Sequence, residues 1–162
     1  MAKKLVAYFS ASGSTARLAQ ALAAAADAAL YEIRPAVPYQ RGDLNWMDKK
    51  ARSTVEMADP NCRVAMADSD APVADADVVF LGFPIWWYRE PSIVDTFVEG
   101  NAAALAGKTV VPFATSGGSG MGDSSKNLQA LAPEAKVAEG RRFRADVSAD
   151  DLKAWADGLR PE

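Results

Sequence analysis

Ser10-Ala11-Ser12-Gly13-Ser14-Thr15 follows an apolar run, Leu5-Val6-Ala7-Tyr8-Phe9, and precedes residues 16–26, where Leu18 and Leu22 share one face of a strong helix former. The order is strand, hydroxyl-rich turn, helix. A helix that starts at such a turn aims unpaired N–H groups, and the positive end of its dipole, at whatever the turn encloses. The natural guest is an anion, most often a phosphate. Ser10, Ser12, Ser14 and Thr15 add hydroxyl donors, and Gly13 lets the backbone close tightly around the group. One serine at a helix start is accounted for as an N-cap. Four hydroxyls and a glycine within six residues exceed what a cap uses, so a phosphate seat is the expectation.

The rest of the composition narrows the class. A chain of 162 residues that is 49% hydrophobic suits one domain with a full core, taken here as residues 1–162. The formal net charge of -3 argues against nucleic acid and anionic lipid as partners. Arg141, Arg142 and Arg144 form one basic cluster, read as a solvated edge. There is no His, which removes Ser-His-Asp catalysis and the commonest transition-metal ligand. A lone Cys62 fits a reducing compartment. Lys3-Lys4 before five apolar residues is too short for a signal peptide, and residues 21–30 are too short for a membrane span and carry Asp27. A soluble, cytoplasmic protein without a metal site is expected.

Along the chain, Leu30-Tyr31-Glu32-Ile33 reads as a second strand ended by Pro35 and Pro38. Residues 36–60 form an insertion, with Asn45 as a cap and a helix over 46–58 carrying Met47, Ala51, Val55 and Met57. The acidic stretch at 68–77 lacks the Gly and the trailing Glu of a calcium loop and reads as solvated. Val78-Val79-Phe80-Leu81 is apolar without alternation, as a central parallel strand covered on both faces should be. Gly82-Phe83-Pro84 leads out of it into Ile85-Trp86-Trp87-Tyr88, and Pro91 opens a helix that buries Ile93, Val94, Phe97 and Val98. Gly107-Lys108-Thr109 imitates a nucleotide-triphosphate loop, but it follows a helix and precedes a strand, the reverse of what that loop needs. After the strand Val110-Val111-Pro112-Phe113 comes Thr115-Ser116-Gly117-Gly118-Ser119-Gly120, then a helix over 124–131. Glycines between a buried strand and a helix indicate a ligand loop. A strand over 136–143 and a helix over 148–159, with Leu152, Trp155, Ala156 and Leu159 inward, complete the pattern.

Alternating strands and helices imply an α/β fold: a doubly wound, five-stranded parallel sheet between two helical layers. In the order 2-1-3-4-5, the loops after strands one, three and four converge on one crevice at the carboxyl edge, the arrangement for which flavodoxin is the standard example.

Three stretches resemble the flavodoxin family. Ser10-x-Ser12-Gly13-x-Thr15 resembles its phosphate loop, which holds the monophosphate of FMN without a basic side chain. Gly82-Phe83-Pro84-Ile85-Trp86-Trp87 and Thr115-Ser116-Gly117-Gly118-Ser119-Gly120 resemble the GYPIWW and TSGGSG loops of one flavodoxin-like subfamily. The resemblance implies FMN as cofactor, held by Ser10, Ser12, Gly13, Ser14, Thr15, Pro84, Ile85, Trp86, Trp87, Thr115, Ser116, Gly117, Gly118 and Gly120. One indole would lie against the isoalloxazine and the other in the core. Tyr88 stands where that subfamily often has Gly, at the flavin edge.

Within this resemblance the leading function is an NAD(P)H-dependent reductase of small quinone-like or flavin acceptors, with no catalytic side chain required. A flavodoxin carrying single electrons between protein partners is the alternative, and the charge of -3 is small for such a carrier. A flavin-free interaction domain that keeps only the fold is a second alternative, and it would have no use for the hydroxyls and glycines. A homodimer is compatible with all three. Flavodoxins turn over a peptide beside the flavin on one-electron reduction, at a residue that accepts positive φ. In residues 83–87 no Gly or Asn supplies one, and Pro84 restricts its neighbours, so reduction in one two-electron step is expected.

Overall fold

The computed structural model describes residues 3–11, 13–45, 47–59, 61–68, 71–87, 89–115, 121–144 and 147–157. The elements are β1 (Lys4–Tyr8), α1 (Ser14–Ala26), β2 (Ala29–Glu32), α2 (Arg52–Met57), β3 (Val78–Pro84), α3 (Ser92–Gly100), α4 (Ala102–Leu105), β4 (Thr109–Thr115), α5 (Ser124–Leu131), β5 (Lys136–Val137), β6 (Arg141–Phe143) and α6 (Ala149–Asp157). All strand pairs are parallel, in the order β2-β1-β3-β4-β5 with β6 also on β4. The expected doubly wound sheet is therefore present.

Strand alternation sorts the core into two layers. Val6, Tyr8, Val78, Phe80, Val111 and Phe113 face α1 and α6, where Leu18, Leu22, Leu152 and Ala156 meet them. Leu5, Ala7, Val79, Leu81, Phe83 and Val110 face the other way, onto Ile93, Val94, Phe97, Leu105 and Leu128. The uninterrupted apolar run of β3 is thus apolar because both of its faces are covered.

Two elements differ from expectation. The helix foreseen over 46–58 is confined to Arg52–Met57, preceded by a 3-10 turn at Arg41–Leu44. Asn45 and Asp48 turn their side chains onto the backbone N–H of Met47 (3.2 Å) and Lys50 (2.9 Å), local bonds that compete with helix formation. Ala51 and Met57 are buried as foreseen, whereas Met47 and Val55 are exposed. The last strand, expected over 136–143, is two pieces, so the sheet has six strands rather than five. Opposite the break lies Pro112, which has no N–H for the ladder, and Gly140 sits so close that a Cβ there would be 2.6 Å from the Pro112 carbonyl oxygen.

Gly82 also admits nothing larger, since a Cβ would overlap the buried Phe113 ring. Gly82→Ala should cost about 1–3 kcal/mol by overpacking, read as a lower urea midpoint with an unchanged slope.

Candidate functional site

The carboxyl ends of β1, β3 and β4 bring the first two loops, and the start of the third, to one edge of the sheet. In the first, the position that would carry an N-cap side chain falls on Gly13, at φ 97°, and among the described residues no side chain caps α1. Capping is therefore not what the hydroxyls of Ser10, Ser14 and Thr15 do. No acidic residue lies in the first turn of α1. Ser10 Oγ accepts the Gly13 N–H at 3.1 Å, closing the loop and keeping its own proton for a further acceptor. Gly13 is needed for its conformation, as a Cβ there would meet nothing within 4 Å.

Thr15 departs from the simplest form of the expectation. It is buried, and its hydroxyl lies 2.8 Å from that of Thr115, a hundred residues away. One hydroxyl donates to the other, so one proton of the pair remains to be placed. The Thr115 carbonyl also accepts the Ile85 N–H at 3.2 Å, and Thr115 pairs with Pro84 in the sheet. One residue thus joins all three loops.

The second loop closes on itself between Trp86 and Arg89. Trp86 N–H donates to the Arg89 carbonyl at 3.0 Å and Arg89 N–H to the Trp86 carbonyl at 3.2 Å. Trp87 takes φ 48°. The sequence argument that residues 83–87 avoid positive φ therefore fails at Trp87. Such a turn needs the left-handed region, and its closure offsets a strain of roughly 1–3 kcal/mol.

The two indoles have different surroundings. Trp86 is half-buried, edge-on to Phe9 and Tyr39 with centroids 5.7 and 5.6 Å away. Trp87 remains 41% exposed. Tyr39 is held in turn by the Arg52 guanidinium 3.9 Å over its ring and by its hydroxyl donating to Glu56. Burial, and then the Glu56 hydrogen bond, push its phenol well above the usual range. A cavity of about 380 Å³ opens beside Ser10 and Ala11, with Phe9, Ile33 and Tyr39 among its walls.

Sequence reasoning missed two groups here. Tyr39 carried no motif. Partly buried Arg89 meets the buried Glu90 and Asp95 behind the turn, and the one signal of this cluster was an acid inside the apolar arc of α3. Ser12, Ser116, Gly117, Gly118 and Gly120, named as site residues, lie outside the described residues, as does Tyr88.

The site thus pairs a helix start without a side-chain cap among the described residues with an exposed indole on a closed turn, at the edge where doubly wound sheets bind ligands. Those features define a flavodoxin-like α/β protein. A family model described as Flavodoxin matches residues 3–159, and the chain belongs to that family. Crystal structures of proposed flavoproteins from Bacteroides eggerthii and Bacteroides uniformis are 46% and 44% identical. The first covers 99% of this chain and 100% of its own (TM-score 0.91), and the second 96% and 98% (TM-score 0.88). A Lactobacillus acidophilus flavoprotein solved in complex with FMN shares the fold at 19% identity (TM-score 0.67, 94% and 99% covered). No curated protein matches the chain. Among the described residues, no helix is long and apolar enough to cross a membrane.

The Thr15–Thr115 bond can be tested in isolation. Thr115→Val should cost about 1–3 kcal/mol by leaving a buried hydroxyl unpaired, while the double variant T15V/T115V should recover part of that loss. Urea unfolding of the four proteins would give the coupling energy.

Proposed function

We propose that the chain binds FMN and works as an NAD(P)H-dependent reductase of small quinone-like or flavin acceptors. The observation that carries the cofactor is the start of α1: a glycine at the cap position, no acid in the first turn, and hydroxyls of Ser10 and Ser14 half-buried beside it. That donor set fits a phosphate dianion. Trp87, exposed on its turn, fits a flat ring system, whereas Trp86 is engaged by Phe9 and Tyr39. When bound, the flavin supplies the redox chemistry, and the protein supplies binding and orientation. Ser12 and the glycines of residues 116–120 would complete the seat and the far side of the ring, and NAD(P)H or a reductase would be the donor.

The single-electron carrier gains one observation. Trp87 already occupies positive φ, so the loop bears a left-handed residue after all. The reductase reading rests instead on the small net charge, -3, which gives little field for docking on a basic protein partner. Stepwise anaerobic reduction decides between them. Conversion in a single spectral transition supports the reductase, and a long-wavelength intermediate band in high yield supports the carrier.

Purified protein should be yellow and NADH or NADPH should bleach it. In a fluorescence titration, S12A/S14A should weaken FMN by about 1.5–3 kcal/mol per lost donor to a charged group, with little change for riboflavin. Trp87→Ala should raise bound-flavin fluorescence and weaken binding by about 1–3 kcal/mol, with base stacking as the guide. Equal losses for FMN and riboflavin in S12A/S14A would remove the phosphate seat.

A further inference from the structure

Arg89 is the hinge between the ligand loop and the interior. Its backbone closes the turn with Trp86, while its Nη1 lies 3.3 Å from Asp95 Oδ2 and 3.7 Å from Glu90 Oε2. Glu90 is 0% exposed and Asp95 3%. Asn127 on α5 donates to Glu90 Oε1 at 3.1 Å. Arg89 Nη2, Glu90 Oε2 and Asp95 Oδ1 are buried without a hydrogen-bond partner. Two ionised carboxylates facing one guanidinium would leave a net negative charge in the interior, which is far more costly than a neutral group. One proton on the pair brings the cluster to zero.

We propose that Glu90 holds a proton beside the Asp95 carboxylate and, through Arg89, keeps the loop closed between Trp86 and Arg89, which makes both carboxyls positioning residues for the site. The protonation stands on the cluster alone, and the consequence for the ligand rests on the FMN reading. Burial first, and then the hydrogen bond and charge of Asp95, push the Glu90 carboxyl up to about 9. A carboxyl raised in the fold contributes stability that is complete below its unfolded value and is lost as pH rises through its folded one. Neutral pH lies between the two values, where the proton is still bound although part of that stability is already lost, and the turn loosens towards pH 10, where the strained Trp87 relaxes with it.

Other ionisable groups nearby do not reproduce this. Arg63 is raised by Glu99 first and by Asp95 less, and stays cationic. Burial pushes up both Cys62, beside Ser92, and Tyr39. On α5 the facing group is the neutral Asn127, with Asp123 and Lys126 exposed.

The test uses flavin-free full-length protein carrying 5-fluorotryptophan, with the ¹⁹F resonances of Trp86 and Trp87 assigned through W86F and W87F. In the wild type these two resonances should move between pH 7 and pH 10, and the infrared spectrum at pH 7 should show a buried protonated carboxyl that E90Q lacks. Glu90→Gln, a neutral isostere, should keep the pH 7 resonances up to pH 10, and Glu90→Ala should displace them already at pH 7. Asp95→Asn should behave as E90Q and serves if that variant does not fold. No protonated carboxyl in the wild type, or E90Q displaced at pH 7 as E90A is, would overturn the proposal. With FMN added, wild-type affinity should fall at least tenfold more than that of E90Q between pH 7 and pH 10. An absence of FMN binding at pH 7, with the ¹⁹F titration intact, would remove the cofactor reading and leave the Glu90 proton standing.

Discussion

Thr115 is where the sheet ends and the site begins. Its place at the end of β4, paired with Pro84 on one side and Phe143 on the other, fixes the spacing of the carboxyl edge. The same residue then reaches out of the sheet twice, by its carbonyl to Ile85 and by its hydroxyl to Thr15. Because strand pairing is set by buried apolar side chains on both faces, a slip of one residue would turn each of them to the wrong layer. The position of the two loops thus inherits the precision of the core.

The fold was legible in the sequence because its signals were redundant. Residues 78–81 suited a strand covered on both faces, and the helices on either side of the sheet showed the matching apolar faces. Failures came where short-range bonds outweigh periodicity. Asn45 and Asp48 shorten a helix that the pattern of Met47, Ala51 and Val55 would have allowed, and Pro112 breaks a ladder on the strand opposite it. At the site, the glycine and the hydroxyls marked the loop, but not that Thr15 would be turned inward to Thr115. Such a contact joins residues a hundred apart and leaves no local pattern. Trp87 shows the converse: its left-handed backbone is imposed by closure of the turn against the preference of its own side chain.

The insertion at residues 36–60 serves as a brace. Arg52 bonds Glu56 at 3.0 Å and the Val37 carbonyl at 2.7 Å, and the two side chains grip Tyr39. Tyr39 then fixes one side of the Trp86 ring, with Phe9 from β1's end fixing another. Polar groups of the insertion thereby stabilise an aromatic contact at the carboxyl edge of the sheet, in the same loop whose Arg89 reaches Asp95.

The divided edge strand has a consequence for the molecule among its neighbours. A continuous outer strand presents a row of unmatched backbone groups on which a second chain can build. Here the outer border offers two residues at Lys136–Val137, an interruption at Gly140, and three at Arg141–Phe143 with charged side chains upon them. An incoming strand therefore finds no stretch longer than three residues to template on along that border. The proline that breaks the ladder from within thus also shortens what this border offers to another chain.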